Sequence, residues 1–87
     1  MIRVLVPSQL IAYTGGQTRI AADGETVDGV LEDLDRRFPG IRFRVVDEQD
    51  RVRKHMRIFV DGERVRDLAL PLGEGDEMLI FGALSGG

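Results

Sequence analysis

One stretch of this chain repeats its apolar residues at helical spacing, and segments that read as strands lie on both sides of it. Val27, Val30, Leu31, Leu34 and Phe38 recur three and four residues apart and define a single apolar stripe, with Glu32, Asp33, Asp35 and Arg36 off the stripe and expected in solvent. Thr26 is placed to cap this helix, because its hydroxyl can accept from a backbone amide two or three positions on, and Asp28 suits the positive end of the helix dipole. Arg36 and Arg37 suit the negative end, and Pro39-Gly40 stops the helix. Gly29 inside it costs up to about 1 kcal/mol against alanine, which a close approach of helix to sheet explains.

Ahead of the helix, Ile2, Val4 and Val6 alternate with Arg3 and Leu5 up to Pro7, the pattern of a first strand. A loop carrying Leu10 and Tyr13 reaches Thr14-Gly15-Gly16-Gln17, a reversal, after which Thr18 to Ala21 form a second short strand that Asp23-Gly24 closes. This hairpin places Val4 and Ile20 on the covered face. Beyond the helix, residues 41 to 55 carry no clear period. Met56, Ile58 and Val60 then alternate with Arg57 and Phe59 up to Asp61-Gly62, a hairpin signal, and Glu63, Arg64 and Val65 return. Leu68, Leu70 and Leu72 flank Pro71 in an irregular crossing segment, Gly73 to Asp76 turn the chain, and Glu77 to Phe81 read as the last strand, accessible at the sheet edge where it exits.

Two strands, one helix and further strands are the order of an α+β, β-grasp (ubiquitin-like) domain, in which a mixed sheet of four to five strands packs on one main helix. A ferredoxin-like split βαβ arrangement needs a second helix, and residues 66 to 76 are too rich in Pro and Gly to supply it. The whole of 1–87 reads as one domain with a flexible tail over 82–87.

Eighty-seven residues leave little room for both a deep pocket and a complete catalytic apparatus, which favours a binding or carrier role. The absence of cysteine removes disulfides, thiolate nucleophiles and thiolate metal sites together. A formal charge of −3 argues against nucleic acid as the main partner. No apolar signal segment or membrane-length apolar run occurs, so no membrane role is expected and the reading is cytoplasmic. Arg42, Arg44, Arg51, Arg53, Lys54 and Arg57 form a local basic run that reads either as a solvated loop and strand edge or as a docking patch for an acidic protein surface.

The sequence closes on Gly82, Ala83, Leu84, Ser85, Gly86 and Gly87. Glycines at a carboxyl terminus can carry a carboxylate into a narrow active site that any side chain would block. A chance pair at a frayed end is the plainer reading of the glycines taken alone.

Four places make the chain similar to the bacterial sulfur-carrier branch of the ubiquitin-like proteins, the MoaD/ThiS/CysO family. They are Met1 to Val6, the Thr14-Gly15-Gly16-Gln17 turn, the Ile58 to Val65 hairpin, and Gly75-Asp76-Glu77 followed by Phe81 and the terminal Gly86-Gly87. Molybdopterin-type carriers commonly have a proline-containing stretch where this chain has Gly82-Ala83-Leu84-Ser85, and the 41 to 55 loop looks more like the cysteine-type carriers.

The resemblance implies a protein cosubstrate rather than an enzyme. An E1-like adenylyltransferase would use ATP to adenylate Gly87, a sulfurtransferase or sulfide source would displace AMP, and the resulting thiocarboxylate would give sulfur to a downstream synthase in cofactor or cysteine biosynthesis. No cofactor is expected to stay bound to the chain, and ATP belongs to the activating partner. The tail would comprise Ala83, Leu84, Ser85, Gly86 and Gly87. Conjugation to target lysines through the same carboxylate, as a ubiquitin-like modifier, and a simple interaction domain are the alternative roles. Strand alternation puts Phe59, Leu79 and Phe81 on the outward face of the sheet near the tail, a candidate partner interface; burial by the 41 to 55 loop is the plainer account. His55 has no carboxylate pair or cysteine near it in sequence and reads as a loop residue, and Asp76 and Glu77 read as a turn and a strand entry rather than a metal pair.

Overall fold

The computed structural model describes residues 1–82. Its elements are β1 (Ile2–Leu5), a 3-10 turn (Ser8–Leu10), β2 (Arg19–Ala22), α1 (Val27–Arg37), α2 (Ile41–Val45), β3 (Met56–Val60), β4 (Glu63–Val65) and β5 (Glu77–Gly82). The five strands form one sheet in the order β2-β1-β5-β3-β4. All neighbours are antiparallel except β1 and β5, which run parallel. This is the β-grasp arrangement.

The last strand lies at the centre of the sheet. β5 pairs with β1 on one side and β3 on the other, so it is a central strand rather than an edge strand, while at its exit the residues after Leu79 pair with β3 alone. The parallel pairing is possible because everything between the two strands acts as the crossover that parallel neighbours require.

Alternation decides which side chains meet the helix. Val4 stands opposite Ile20 and Ile58 opposite both Val65 and Ile80, and all of them are buried with Val27, Val30, Leu31 and Leu34 of α1. Phe38 is partly buried at the margin of this core. Thr26 caps α1, its Oγ1 accepting from the Gly29 amide at 3.0 Å. The irregular crossing segment completes the helix start. Its Leu70 and Leu68 carbonyls accept from the Val27 and Asp28 amides, which have no partners inside the helix.

Close approach in this region falls on Gly24 more than on Gly29. A Cβ at Gly24 would lie 2.5 Å from the Val30 nitrogen, whereas one at Gly29 would meet nothing nearer than Thr26 Oγ1 at 3.4 Å. Asp61 and Gly62 both have positive φ, 49° and 89°, as the two-residue turn between β3 and β4 demands.

The 41 to 55 region is held by carboxylates rather than by a hydrophobic period. Asp35 Oδ1 accepts from the Gly40 and Arg42 amides at 3.1 Å each, opening α2. Asp47 Oδ1 accepts from the Gln49 and Arg51 amides, and Arg42 joins Asp28 of α1 to Asp50 of the loop. Ile41, Val45 and Val46 are buried beneath.

Asp33 is a correction. Only 8% exposed, it accepts from the Asp23 amide at 3.1 Å and is ion-paired with Arg36 and Arg37, so it locks the end of β2 to α1 instead of facing water. The Asp23 amide holds its carboxyl below the usual carboxylate range, against burial, with the two arginines helping.

Candidate functional site

β5 carries the chain toward its carboxyl end through the middle of the sheet, paired with β1 over Glu77 to Leu79 and with β3 from Met78 to Gly82. Gly82, expected as the first tail residue, is the last residue of β5 and pairs with Met56 of β3. Its carbonyl accepts from Gln9 Nε2 at 3.0 Å, and a Cβ at this position would lie 2.5 Å from the same nitrogen. Gln9 is not legible as part of the site from sequence, since an exposed glutamine in a loop has no distinguishing pattern. Ala83, Leu84, Ser85, Gly86 and Gly87 lie outside the described residues.

The three expected interface residues share the outward face. Phe59 pairs directly with Leu79, and Phe81 stands opposite Arg57. Their alternation partners Ile58, Val60, Met78 and Ile80 are buried against the helix side. Phe81 is half exposed, at 50%, while Phe59 and Leu79 are partly covered. A shallow depression of about 220 Å³ lies beside Phe59 and Leu79, bounded by Asp61, Gly62 and Glu77.

Leu5 of β1 pairs with Leu79 and extends this apolar seam to a third strand. Sequence alone shows Leu5 only as an alternating residue, because the pairing of β1 with β5 spans most of the chain. Arg3, Arg19, Arg57 and Arg64 surround the seam at outward register positions, against Glu77 alone on β5. The face can therefore offer an apolar contact inside a largely cationic rim, the arrangement of core and rim common to protein interfaces.

Among the described residues no catalytic equipment is assembled around it. His55 is exposed in the loop before β3. Asp76 closes its own turn by accepting from the Gly73 amide at 2.7 Å. Among the described residues no group of His, Cys, Asp or Glu side chains is placed to hold a metal ion. No helix among them is long and apolar enough to cross a membrane.

The ThiS family model matches residues 4–87, nearly the whole sequence. The chain belongs to the ThiS family. It is 33% identical to the sulfur carrier protein CysO of Mycobacterium tuberculosis, an alignment that covers 99% of this chain and 98% of that one. Among solved structures, a chain in the Amycolatopsis orientalis BexX/CysO complex superposes with a TM-score of 0.93 at 31% identity, with both chains covered completely. SAMP1 of Haloferax volcanii superposes with a TM-score of 0.77 at 27% identity, covering 99% of this chain and 98% of that one. As a member of this family the chain is a ubiquitin-like sulfur carrier and not a catalyst, and the β-grasp architecture is shared with these solved relatives.

Proposed function

We propose that the chain delivers sulfur as a C-terminal thiocarboxylate on Gly87, in the manner of a CysO-type carrier that serves cysteine biosynthesis or a related pathway in the cytoplasm. Supporting this most directly is the likeness to CysO over 99% of this chain and 98% of that one, with a family match that runs through Gly86 and Gly87. A carboxylate with a pKa near 3.5 is ionised at neutral pH and resists nucleophiles. It must first become an acyl adenylate. An E1-like partner supplies ATP for that step, with pyrophosphate leaving as the Gly87 carboxylate attacks the α-phosphate; a sulfur donor then displaces AMP. The thiocarboxylate keeps a negative charge while exposing a soft nucleophilic sulfur, so the carrier needs no cysteine and no cofactor of its own.

On this reading the described residues supply recognition. The face built from Phe59, Leu79 and Phe81 docks on the activating partner beside the strand that leads into the tail. A synthase that accepts the sulfur uses the same tail. Removing Gly86 and Gly87 tests the proposal: the shortened chain is expected to fold normally and to support no ATP-pyrophosphate exchange by its activating enzyme, and exchange at the full-length rate would refute it.

Conjugation to lysines through the same carboxylate is the second reading, favoured by the likeness to SAMP1, a small archaeal modifier protein. Lys54 is the sole lysine of the sequence, so chains of the modifier on itself have one internal attachment point.

A further inference from the structure

The strand pairing gathers cations that the sequence keeps apart. A cavity of about 430 Å³ at the end of the β3-β4 hairpin is lined by Arg51, Arg53, Lys54, Arg57, Arg64 and Arg66. Its other lining residues are Val52, Met56 and Val65, and no carboxylate is among them. Six of the 12 basic residues of a chain with net charge −3 thus converge on one concavity. None of the six takes part in an ion pair among the described residues.

This crowding has an energetic signature. Arg64 and Arg57 lie on adjacent paired strands, two positions apart in register. The Arg64 guanidinium is held below its ordinary range, first by desolvation and then by the like charges of Arg66 and Arg57. The other arginines of the basic run are otherwise engaged: Arg42 with Asp28 and Asp50, Arg44 over the Tyr13 ring. Asp47 lies close enough to Arg51 and Arg53 to feel both charges and offsets them in part; the remaining excess of like charge is costly in the isolated domain and becomes favourable once an anionic partner arrives.

The neighbourhood points to a protein rather than to a small anion. Phe43, 52% exposed, stands beside the cavity, with the Arg53 guanidinium 4.4 Å from its ring centre and Arg53 Nε donating to the Phe43 carbonyl at 2.6 Å. An exposed aromatic stacked on an arginine at the rim of a cationic hollow is the composition of a protein interface, in which such residues carry much of the binding energy. Guanidinium forks also match carboxylates in pairs.

We propose that this cavity is a docking site for an acidic polypeptide segment of a partner protein, a surface that adjoins the Phe59-Leu79 seam and shares Arg57 and Arg64 with its rim. Its position gives it a consequence. Met56, in the cavity wall, is paired with Gly82, so a partner held here grips the scaffold next to the point where the tail leaves β5. The consequence for sulfur delivery rests on the carrier reading; the docking itself does not.

The test is a titration of the full-length chain with hexaglutamate, followed by amide resonances in two-dimensional NMR, with inorganic tripolyphosphate as the comparison. No activation of the carboxyl terminus is involved, so failure of the carrier reading leaves the result untouched. Hexaglutamate is expected to shift amides of 51–57 and 64–66, with affinity falling about tenfold as salt rises from about 20 to about 200 mM. The double variant Arg64→Glu, Arg66→Glu should lose at least about ten-fold in affinity, equivalent to roughly 1.4 kcal/mol. Lys54→Glu, at an exposed loop position, should weaken binding in the same direction, and Arg3→Glu should leave it unchanged. Shifts spread equally to the Arg3 and Arg19 strands, tighter binding of tripolyphosphate at the same amides, or indifference to the 64 and 66 reversals would overturn the proposal.

Discussion

Phe59 of β3 and Leu79 of β5 stand directly opposite one another on the outward face of the sheet, and Leu5 of β1 pairs with Leu79 from the other side. Three strands far apart in sequence thereby build one apolar seam, with Phe81 farther along β5 half in solvent. A sheet face with a buried side and a partly apolar outer side has a second surface to satisfy, and a partner that covers Phe81 gains the area that water now holds.

Phe81→Asp is accordingly expected to leave the fold intact and to impair activation. Thermal unfolding should change little, because the side chain is already half exposed. ATP-pyrophosphate exchange catalysed by the activating enzyme should fall at least about tenfold, the effect of losing roughly 1.4 kcal/mol of interface energy. An unchanged exchange rate would remove Phe81 from the interface.

Asp33 ties stability to pH with a definite sign. Its folded-state carboxyl lies below the ordinary range, chiefly through the Asp23 amide, so the unfolded chain holds that proton more tightly. The stability it contributes is fully present above the unfolded value of about 3.9 and is lost as pH falls through the folded value. Asp33→Asn keeps an acceptor for the Asp23 amide but loses the charge that Arg36 and Arg37 face, and should cost about 1–2 kcal/mol at neutral pH. Denaturation curves of the two proteins should converge in strong acid; a constant gap across the whole pH range would contradict the assignment.

Gly24 and Gly29 should respond oppositely to alanine. A Cβ at Gly24 meets the Val30 nitrogen at 2.5 Å and the Gly29 carbonyl carbon at 2.7 Å, both of them helix backbone that cannot step aside alone. Gly24→Ala is expected to destabilise by about 2 kcal/mol or more. At Gly29 the added carbon has ordinary contacts, the closest Thr26 Oγ1 at 3.4 Å, and helix propensity favours alanine by up to about 1 kcal/mol. Chemical denaturation of the two variants decides the matter, and equal losses at both positions would show that the helix start is packed differently.

Removing the cap should be felt across the crossing segment. Thr26→Ala deletes the acceptor for the Gly29 amide and should cost about 1 kcal/mol. Because Val27 and Asp28 donate to Leu70 and Leu68, amide exchange should quicken at those two positions as well as at Gly29.

Local features of the fold were legible where one residue type has one physical use. Asp61-Gly62 announced its turn because both positions need positive φ, and Thr26 announced the helix start because few side chains can accept from an amide three residues on. The alternation of Ile2, Val4 and Val6 fixed which side of β1 is buried, and with Ile20 it fixed the hairpin register. Order across the sheet was less accessible, since Met78 and Ile80 alternate in the same way whether β5 lies at an edge or between two neighbours. The helix Ile41–Val45 has no sequence signature because five residues are too few to show a period, and what holds it is Asp35 and Asp28 of α1 accepting from the Arg42 amide and guanidinium. In sequence Asp33 is one acid among several off the apolar stripe, because its amide partner lies ten residues away at Asp23.

The site divides in the same way. Phe59, Leu79 and Phe81 were readable from alternation, whereas Leu5, Gln9 and the convergence of Arg64 and Arg66 on the Arg51 to Arg57 loop depend on long-range pairing that no local pattern encodes.

The central claim is that the working group is the carboxyl group of Gly87. Intact mass after incubation with the activating enzyme, ATP and a sulfide source tests it most directly. A gain of about 16 Da, from oxygen replaced by sulfur, is expected, with the product trapped by a reagent that alkylates thiocarboxylates and so distinguished from methionine oxidation. No gain, or the same alkylable gain in a chain lacking Gly86 and Gly87, would contradict it.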